Sequence, residues 1–361
     1  MEPLKNMYND AFFQKLVGAI TGVYADFEGS AFLALIYDDA WEGRELKARM
    51  RHITVTLHDC LPADYRVALD IICRASQAVA GGFGPMIFPD FVELYGLDDW
   101  EASLPALELF TQQSSAEFAV RPFILQDQDR MMAQMVAWTQ HESEHLRRLA
   151  SEGCRPRLPW AVALPAFKAD PTPILPVLEN LKLDSSEYVR RSVANNLNDI
   201  SKDNPQVVLA VLRGWQDHKS RNMERLTGHA LRTLIKAGDP AALALLGYAA
   251  NPAVDVRDLA VTPGMVKMGE ALTFSFELVS HGAAAQNLMV DYAVHYVRAN
   301  GKTSRKVFKL TKKKLGPGEV SQLTRKLDFK PISTRRYYPG EHALEVQVNG
   351  AILARVIFLV E

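Results

Sequence analysis

The spacing of apolar residues divides the chain into two parts with different periods. From Met7 to about Ala250, apolar residues recur every three or four positions, as in RELKARMRHITVTLHDCL (44–61), and breakers such as GGFGP (81–85) separate the stretches. This spacing predicts a succession of helices without strands.

The helical part also repeats itself. HESEHLRRLASEG (141–153) matches DSSEYVRRSVANN (184–196) at an offset of 43 residues, and HKSRNMERLTGHAL (218–231) is a looser copy. Helical repeats with a period near 40 residues stack because no single unit can bury its own apolar face. We therefore predict an all-α HEAT-like repeat solenoid, which presents a long concave surface.

After Asp255 the pattern changes to alternation. In LTFSFELV (272–279) every second residue is apolar, and Asn300-Gly301 and Asn349-Gly350 supply tight hairpin turns. About seven short strands in a hundred residues predict an all-β immunoglobulin-like sandwich, with Tyr338 as its tyrosine corner. The expected domains are a helical-repeat domain over 1–253 and the sandwich over 254–361.

Composition narrows the class of protein. The chain has 361 residues, 48% of them hydrophobic, and three cysteines that form no CxxC pair. These values exclude a disordered or disulfide-built protein and favour a reducing compartment. No uninterrupted apolar stretch approaches the roughly 18 residues of a membrane span, so we expect a soluble, cytoplasmic protein with no membrane partner.

The near-neutral net charge of −1 conceals a strong polarity along the chain. Residues 1–140 hold 10 basic and 20 acidic side chains, residues 141–236 hold 15 and 11, and residues 256–361 hold 16 and 9. This asymmetry indicates that the later two thirds face a polyanion, unless the domains differ in charge by chance. The lysine-rich run 305–314 and TRRYY (334–338) would supply many of the cations, although such runs are also common in solvated loops.

His141-Glu142-Ser143-Glu144-His145 satisfies the H-E-x-x-H pattern of zinc peptidases, in which both histidines share one helix face. The repeat alignment argues against a metal site. Ser143 aligns with Ser186 at the start of a helix, where a serine hydroxyl caps free amides, so His141 is expected in the preceding loop. A zinc hydrolase stays as a minor alternative, and we predict neither metal nor cofactor.

The repeat helix over 185–203 carries a polar stripe. Tyr188, Ser192, Asn195 and Asp199 fall on one helix face, whereas Val189, Val193, Leu197 and Ile200 fall on the opposite face and are expected in the core. An acid near a helix C-terminus is unfavourable for the helix dipole, so helix stability does not explain Asp199. A solvated polar face is the alternative.

Three segments of this helical part resemble one known family. SSAEFAVRPF (114–123), HLRRLASEGCRPRLPW (145–160) and SEYVRRSVANNLNDISKDNP (186–205) are similar to the signature segments of the AlkC-type bacterial DNA glycosylases. Some members also carry a C-terminal immunoglobulin-like domain, so the resemblance extends over essentially the whole chain.

The resemblance implies a monofunctional N-glycosylase that removes cationic lesions, mainly 3-methyladenine and 3-methylcytosine, from double-stranded DNA during base excision repair. Carried over by position, the catalytic carboxylates are Glu117 and Asp199. The lesion-lining residues are Phe118, Arg148, Glu152 and Trp160. We expect Arg148, Arg190 and Arg191 to contact phosphates. Arg190 falls on the apolar side of its helix, so a structural role is the alternative for this residue. We expect the protein to act as a monomer.

The chemistry agrees with these residue types. An N-alkylated base is already cationic and leaves as a neutral molecule, so it needs no general acid. The sugar becomes oxocarbenium-like, and a nearby carboxylate stabilises that charge while the same or another carboxylate orients water. No lysine stands out as a Schiff-base nucleophile. The alternative function is a non-enzymatic scaffold, since helical solenoids commonly bind DNA or proteins without chemistry.

Overall fold

The computed structural model describes residues 2–330 and 335–361, and these form two compact units, one ending at Asn204 and one running from Pro205 to Glu361. No helix among these residues is long and apolar enough to cross a membrane.

The described residues up to Asn204 contain only helices as regular structure. Their bounds are α1 (Asp10–Thr21), α2 (Gly29–Ile36), α3 (Leu46–Cys60), α4 (Tyr65–Val79), α5 (Ile87–Tyr95), α6 (Trp100–Gln113), α7 (Val120–Gln126), α8 (Gln128–Trp138), α9 (Glu144–Gly153), α10 (Pro165–Ala169), α11 (Leu175–Leu181) and α12 (Glu187–Ile200).

The predicted core face of α12 is confirmed, because Val189, Val193, Leu197 and Ile200 are all at most 1% exposed. Several helices begin at a side chain that accepts a hydrogen bond from a free amide of the first turn, as at Asp64 and Asp99. Ser143 and Ser186 occupy this position before α9 and α12, but neither makes the cap bond. The predicted serine caps are therefore wrong, and the Ser186 hydroxyl donates to Glu144 instead.

The second unit begins with four helices and continues as strands. The helices are α13 (Pro205–Gly214), α14 (Arg221–Ala230), α15 (Arg232–Ala237) and α16 (Pro240–Leu245), and the strands are β1 (Val254–Thr262), β2 (Met265–Val266), β3 (Ala271–Ser280), β4 (Gln286–Val297), β5 (Thr303–Leu315), β6 (Val320–Asp328), β7 (Gly340–Val348) and β8 (Ala351–Val360).

The strands form two facing sheets in the orders β1-β3-β6 and β2-β8-β7-β4-β5. All pairs are antiparallel except β2 with β8. The alternation read from the sequence is confirmed, since Leu272, Phe274, Phe276 and Leu278 are at most 1% exposed. Both predicted hairpin turns are present, and at the second turn Asn349 and Gly350 have φ of 46° and 84°. Phe329 and Tyr337 are buried between β6 and β7, whereas Tyr338 is only half-buried.

The segment before β1 also contacts the hairpin turn between β7 and β8. There Asn349 Nδ2 donates to the Ala249 carbonyl over 2.9 Å, and the backbones of Gly238 and Gly350 approach so closely that a Cβ on Gly350 would lie 2.6 Å from the Gly238 Cα. These contacts bind the helices that follow Pro205 to the sheet. The expected boundary between residues 253 and 254 stays a prediction.

Candidate active site

A cleft of about 290 Å³ opens on the first unit where two of the three motif segments, 114–123 and 145–160, meet. Its wall is mostly apolar, and its acidic residues are Glu117 and Glu152. The lining residues come from the N-terminal segment, α3, the segments before α5 and α7, the end of α9 and the segment that follows it: Leu4, Tyr8, Leu46, Lys47, Met50, Phe83, Met86, Ser115, Glu117, Phe118, Glu152, Arg155, Leu158, Pro159 and Trp160.

Glu117 lies in the turn between α6 and α7 and is held by Arg148 from α9. Arg148 Nη1 lies 3.0 Å from Glu117 Oε2 and donates to Ser115 Oγ over 2.6 Å, and Arg148 Nη2 lies 3.5 Å from Glu152 Oε1. Burial lowers the pKa of Arg148, but Glu117 and Glu152 more than offset that effect, and its pKa is raised above the ordinary value. Arg148 is thus a permanent cation between two carboxylates.

A second arginine, Arg155, links Glu152 to Asp199. Its Nη1 lies 2.6 Å from Glu152 Oε1, and its Nη2 lies 2.7 Å from Asp199 Oδ2. The other oxygen of Asp199 accepts from Lys202 Nζ over 2.8 Å, and the Asp199 side chain is only 2% exposed. The C-terminal end of the polar stripe is therefore buried, and the alternative of a solvated polar face does not hold at Asp199.

The charged side chains alternate in sign along one line. We call this set the ionic row, and in order it consists of Glu117, Arg148, Glu152, Arg155, Asp199 and Lys202. Because a cation lies between each two neighbouring carboxylates, three carboxylates can lie close together without strong mutual repulsion. Of the three, Glu117 and Glu152 line the cleft, and Asp199 lies behind Arg155.

Trp160 and Phe118 form the aromatic part of the wall. Trp160 is 67% exposed and has a φ of 65°, which is unusual for a residue other than glycine. Lys47 of α3 donates to the Trp160 carbonyl over 2.7 Å, and its ammonium lies 5.0 Å from the centre of the Phe118 ring. An exposed indole beside carboxylates is suited to contact with the face of a base or sugar.

Arg190 and Arg191 do not line the cleft. Arg190 donates to the carbonyls of Asp184 and Ser185, which lie just before α12, so it secures that turn. Arg191 is exposed and forms an ion pair with Glu187 over 3.1 Å. Their predicted phosphate contacts stay a prediction. The structure therefore brings together Glu117, Phe118, Arg148, Glu152 and Trp160, with Asp199 behind them.

The structure also places the histidines of the HESEH motif. His141 lies before α9, as predicted, and its Nδ1 accepts the Ser143 amide over 2.9 Å. His145 lies within α9 and packs against Tyr188, with ring centres 6.0 Å apart. Over the described ranges, no cluster of three His, Cys, Asp or Glu side chains has the geometry to hold a metal ion.

Three residues that matter to the site were missed by sequence reasoning. Arg155 completes the ionic row, Arg121 secures the loop that carries Trp160, and Lys47 contacts both aromatic residues. Arg121 and Arg155 lie inside the two motif segments 114–123 and 145–160, so their position was a usable signal. Lys47 lies in the acidic front of the chain, where no pattern indicated it.

The fold and the cleft define a class of protein, namely a helical-repeat protein with a carboxylate-bearing active-site cleft and a C-terminal immunoglobulin-like domain. The family model described as "Uncharacterised protein YhaZ, C-terminal Ig-like domain" matches residues 255–361. The Bacillus subtilis (strain 168) protein YhaZ is 44% identical over 352 residues, which cover 98% of each chain.

A solved structure agrees with this class over its full length. The Pseudomonas fluorescens alkylpurine DNA glycosylase AlkC, bound to DNA that contains an abasic site analog, superposes with a TM-score of 0.96 at 40% identity, and the match covers 100% of both chains. The chain belongs to the AlkC family of DNA glycosylases, enzymes that cleave glycosidic bonds. The family, the fold class and the enzymatic nature predicted from the sequence are thereby confirmed.

Proposed function

We propose that the protein is a monofunctional DNA N-glycosylase that removes cationic alkylated bases, 3-methyladenine and 3-methylcytosine, from duplex DNA in base excision repair. The observation that carries this proposal is the ionic row beside the exposed Trp160, at one wall of the cleft. The similarity to a glycosylase bound to DNA with an abasic site analog supports DNA as the partner.

The proposed chemistry follows from where charge changes during the reaction. The positive charge of the alkylated base moves to the sugar as the glycosidic bond breaks, and the base leaves neutral. Glu117 is the proposed carboxylate nearest the sugar, because it lines the cleft and Arg148 holds both of its oxygens in place. A negative charge that is already held beside the developing cation lowers the activation barrier of bond cleavage, because the site does not have to reorganise during the reaction.

Asp199 is the second proposed catalytic carboxylate, and it acts from a deeper position. Both of its oxygens are bonded to cations, Arg155 and Lys202, so contact with sugar or water requires one of these cations to release it. Without such a release, Asp199 still adds negative potential beneath the sugar in a poorly solvated site, where electrostatic interactions are strong.

A lyase step is not part of the proposal, although Lys47 does line the cleft. Its ammonium is bonded to the Trp160 carbonyl and lies over the Phe118 ring, so its proposed role is to hold the aromatic wall. A Schiff-base mechanism would leave a covalent adduct between Lys47 and abasic DNA when borohydride is added. We expect no adduct, and a trapped adduct that disappears in Lys47→Met would overturn this part of the proposal.

The decisive experiment measures bases released from methylated duplex DNA by chromatography. Wild type is expected to release 3-methyladenine and 3-methylcytosine, and Glu117→Gln and Asp199→Asn are each expected to lose about 100-fold or more in single-turnover rate. The matched controls are Glu187→Gln and Asp203→Asn, two ion-paired carboxylates outside the cleft. Wild type that leaves methylated DNA unchanged at low salt would refute the proposal.

We further propose that the enzyme acts as a monomer in the cytoplasm, on nucleoid DNA. Sedimentation of the protein with and without a DNA duplex is expected to give one protein per duplex, and a stable dimer in both samples would contradict the monomer.

A further inference from the structure

Arg155 occupies a position that no motif reading assigned. It follows α9, its side chain is 9% exposed, and it lies between Glu152 and Asp199 at the inner wall of the cleft. Its Nε and Nη2 both approach Asp199 Oδ2, at 2.8 and 2.7 Å, while Nη1 lies 2.6 Å from Glu152 Oε1. One planar guanidinium thus serves two carboxylates at once, which a lysine ammonium cannot reproduce.

The main chain of Arg155 is fixed as well. Its carbonyl accepts from Arg121 Nη1 over 2.8 Å, and Arg121 is itself fully buried. Glu152 is fixed on its other side by Ser192, whose hydroxyl donates to Glu152 Oε2 over 2.6 Å. The guanidinium therefore approaches both carboxylates from a rigid support, as an active-site positioning group requires.

We infer that Arg155 is a positioning residue of the glycosylase reaction, which keeps Glu152 and Asp199 as a charged and oriented pair beneath the cleft. This inference rests on the proposed function. The stability of the fold alone does not explain a buried arginine at this position, because buried ion pairs are often no more stabilising than apolar residues of the same volume. Two buried carboxylates that must stay ionised beneath a cationic substrate do require a fixed cation between them.

The other groups near this pair decide what happens when Arg155 is removed. Without Arg155, Glu152 still contacts Arg148 and the Ser192 hydroxyl, and Asp199 still contacts Lys202. Burial raises the pKa of Cys154 to about 12, so that thiol stays neutral. The remaining charged or titratable groups that act on the pair directly or through Arg148 are Glu117, Arg121, Arg157 and Tyr188.

Loss of the guanidinium therefore leaves two buried carboxylates with one fewer cation. Their pKa values are then expected to rise, because burial and mutual repulsion both favour the neutral acid. A protonated carboxyl group no longer stabilises an oxocarbenium-like sugar, so activity is lost at low pH first. Activity should return as the pH rises.

The test compares pH–rate profiles of Arg155→Gln, Arg155→Lys and wild type under single-turnover conditions. In Arg155→Gln the acid limb is expected to move up by about 1 pH unit, so that the rate loss relative to wild type approaches tenfold on the acid limb and diminishes as the pH rises above it. In Arg155→Lys the acid limb is expected to stay near that of wild type, while the rate falls about tenfold at every pH because lysine cannot bridge both carboxylates.

The matched control is Arg66→Gln, which removes an exposed arginine that pairs with Asp99 outside the cleft, and its profile is expected to match wild type. An Arg155→Gln profile with an unshifted acid limb overturns the inference, even if the variant melts at a lower temperature. If Arg155→Gln does not fold, Arg155→Lys decides, and a wild-type rate in that variant overturns the inference. Absence of base release by wild type refutes the proposed function instead.

Discussion

At the scale of single residues, Arg121 shows how a buried charge can organise a catalytic loop. Its Nε donates to the Val162 carbonyl over 2.6 Å, and its Nη1 donates to the carbonyls of Gly153 and Arg155 over 2.9 and 2.8 Å. Burial lowers the pKa of Arg121 to about 10, so the guanidinium stays charged at neutral pH. The loop that carries Trp160 is thereby tied to α7 at both of its ends.

Replacement of Arg121 by Met is expected to destabilise the first unit by about 3 kcal/mol, because three carbonyls, two of them buried, lose their donor. The loop should also move, so base release should fall together with the thermal transition. Differential scanning calorimetry and the release assay measure the two effects.

The matched control is Arg74→Met, which removes an exposed arginine paired with Asp70 over 3.5 Å and should change stability by less than about 0.5 kcal/mol. An Arg121→Met protein that melts with wild type would show that the three carbonyls find other donors.

At the scale of secondary-structure elements, the repeat helices α9 and α12 pack alike but place their equivalent arginines differently. The 43-residue offset equates Arg148 with Arg191, and the two helices do pack together through Ser151 and Ser192, whose hydroxyl oxygens lie 2.6 Å apart. Arg148 nevertheless points into the site and Arg191 into solvent. The difference arises because Glu117 lies beside α9, whereas Arg191 pairs with Glu187 on its own helix.

Strand β4 carries an acid on the outer face of its sheet. Asp291 is 5% exposed, and burial raises its pKa to about 6 against the opposing effect of Lys309 and Lys236. Because the folded-state pKa lies above the unfolded value, this group contributes stability only where it is protonated. That contribution is complete below about pH 4 and is lost as the pH rises through 6.

Asp291→Asn should therefore be more stable than wild type at pH 7.5, by up to about 3 kcal/mol, and equal to it near pH 4. Urea unfolding of the two proteins at both pH values measures the difference. Equal stability at pH 7.5 would mean that Asp291 is ionised in the folded protein at no cost.

At the scale of the whole molecule, the polarity of charge is the sequence feature that bears most on DNA binding. The second unit contains a groove of about 530 Å³ lined by Arg221, Arg225, Arg232, Lys236, Lys309 and Lys312, with Glu224 and Asp291 as its acids. Lys309 and Lys312 belong to the run 305–314. The predicted run TRRYY is described only from Arg335 onward, since Thr334 lies outside the described residues.

If this groove holds DNA phosphates, the double variant Lys309→Gln, Lys312→Gln should weaken binding of damaged and undamaged duplexes alike. The slope of log K against log salt should fall by about 2, because each phosphate contact releases counterions. Fluorescence anisotropy across a salt series measures it. The exposed pair Lys267→Gln, Lys302→Gln is the control, and an unchanged slope in the groove variant would place the DNA elsewhere.

The sequence by itself determined the periodic features of this protein. The helical and β periods, the core faces of α12 and β3, the hairpin turns and the family all follow from local patterns, because periodicity and turn chemistry depend on residues close together in the chain. The motif segments also contained Glu117, Arg148, Glu152 and Trp160, which the structure gathers at one cleft.

Only the tertiary structure decided how the charges pair. The ionic row joins residues more than 40 positions apart, such as Arg155 and Asp199, and no local pattern encodes which acid a given arginine will meet. The same holds for Lys47, which reaches the Trp160 carbonyl across 113 positions. Burial gives these contacts their importance, since an unpaired charge inside the fold is costly, and burial is a property of the packed molecule.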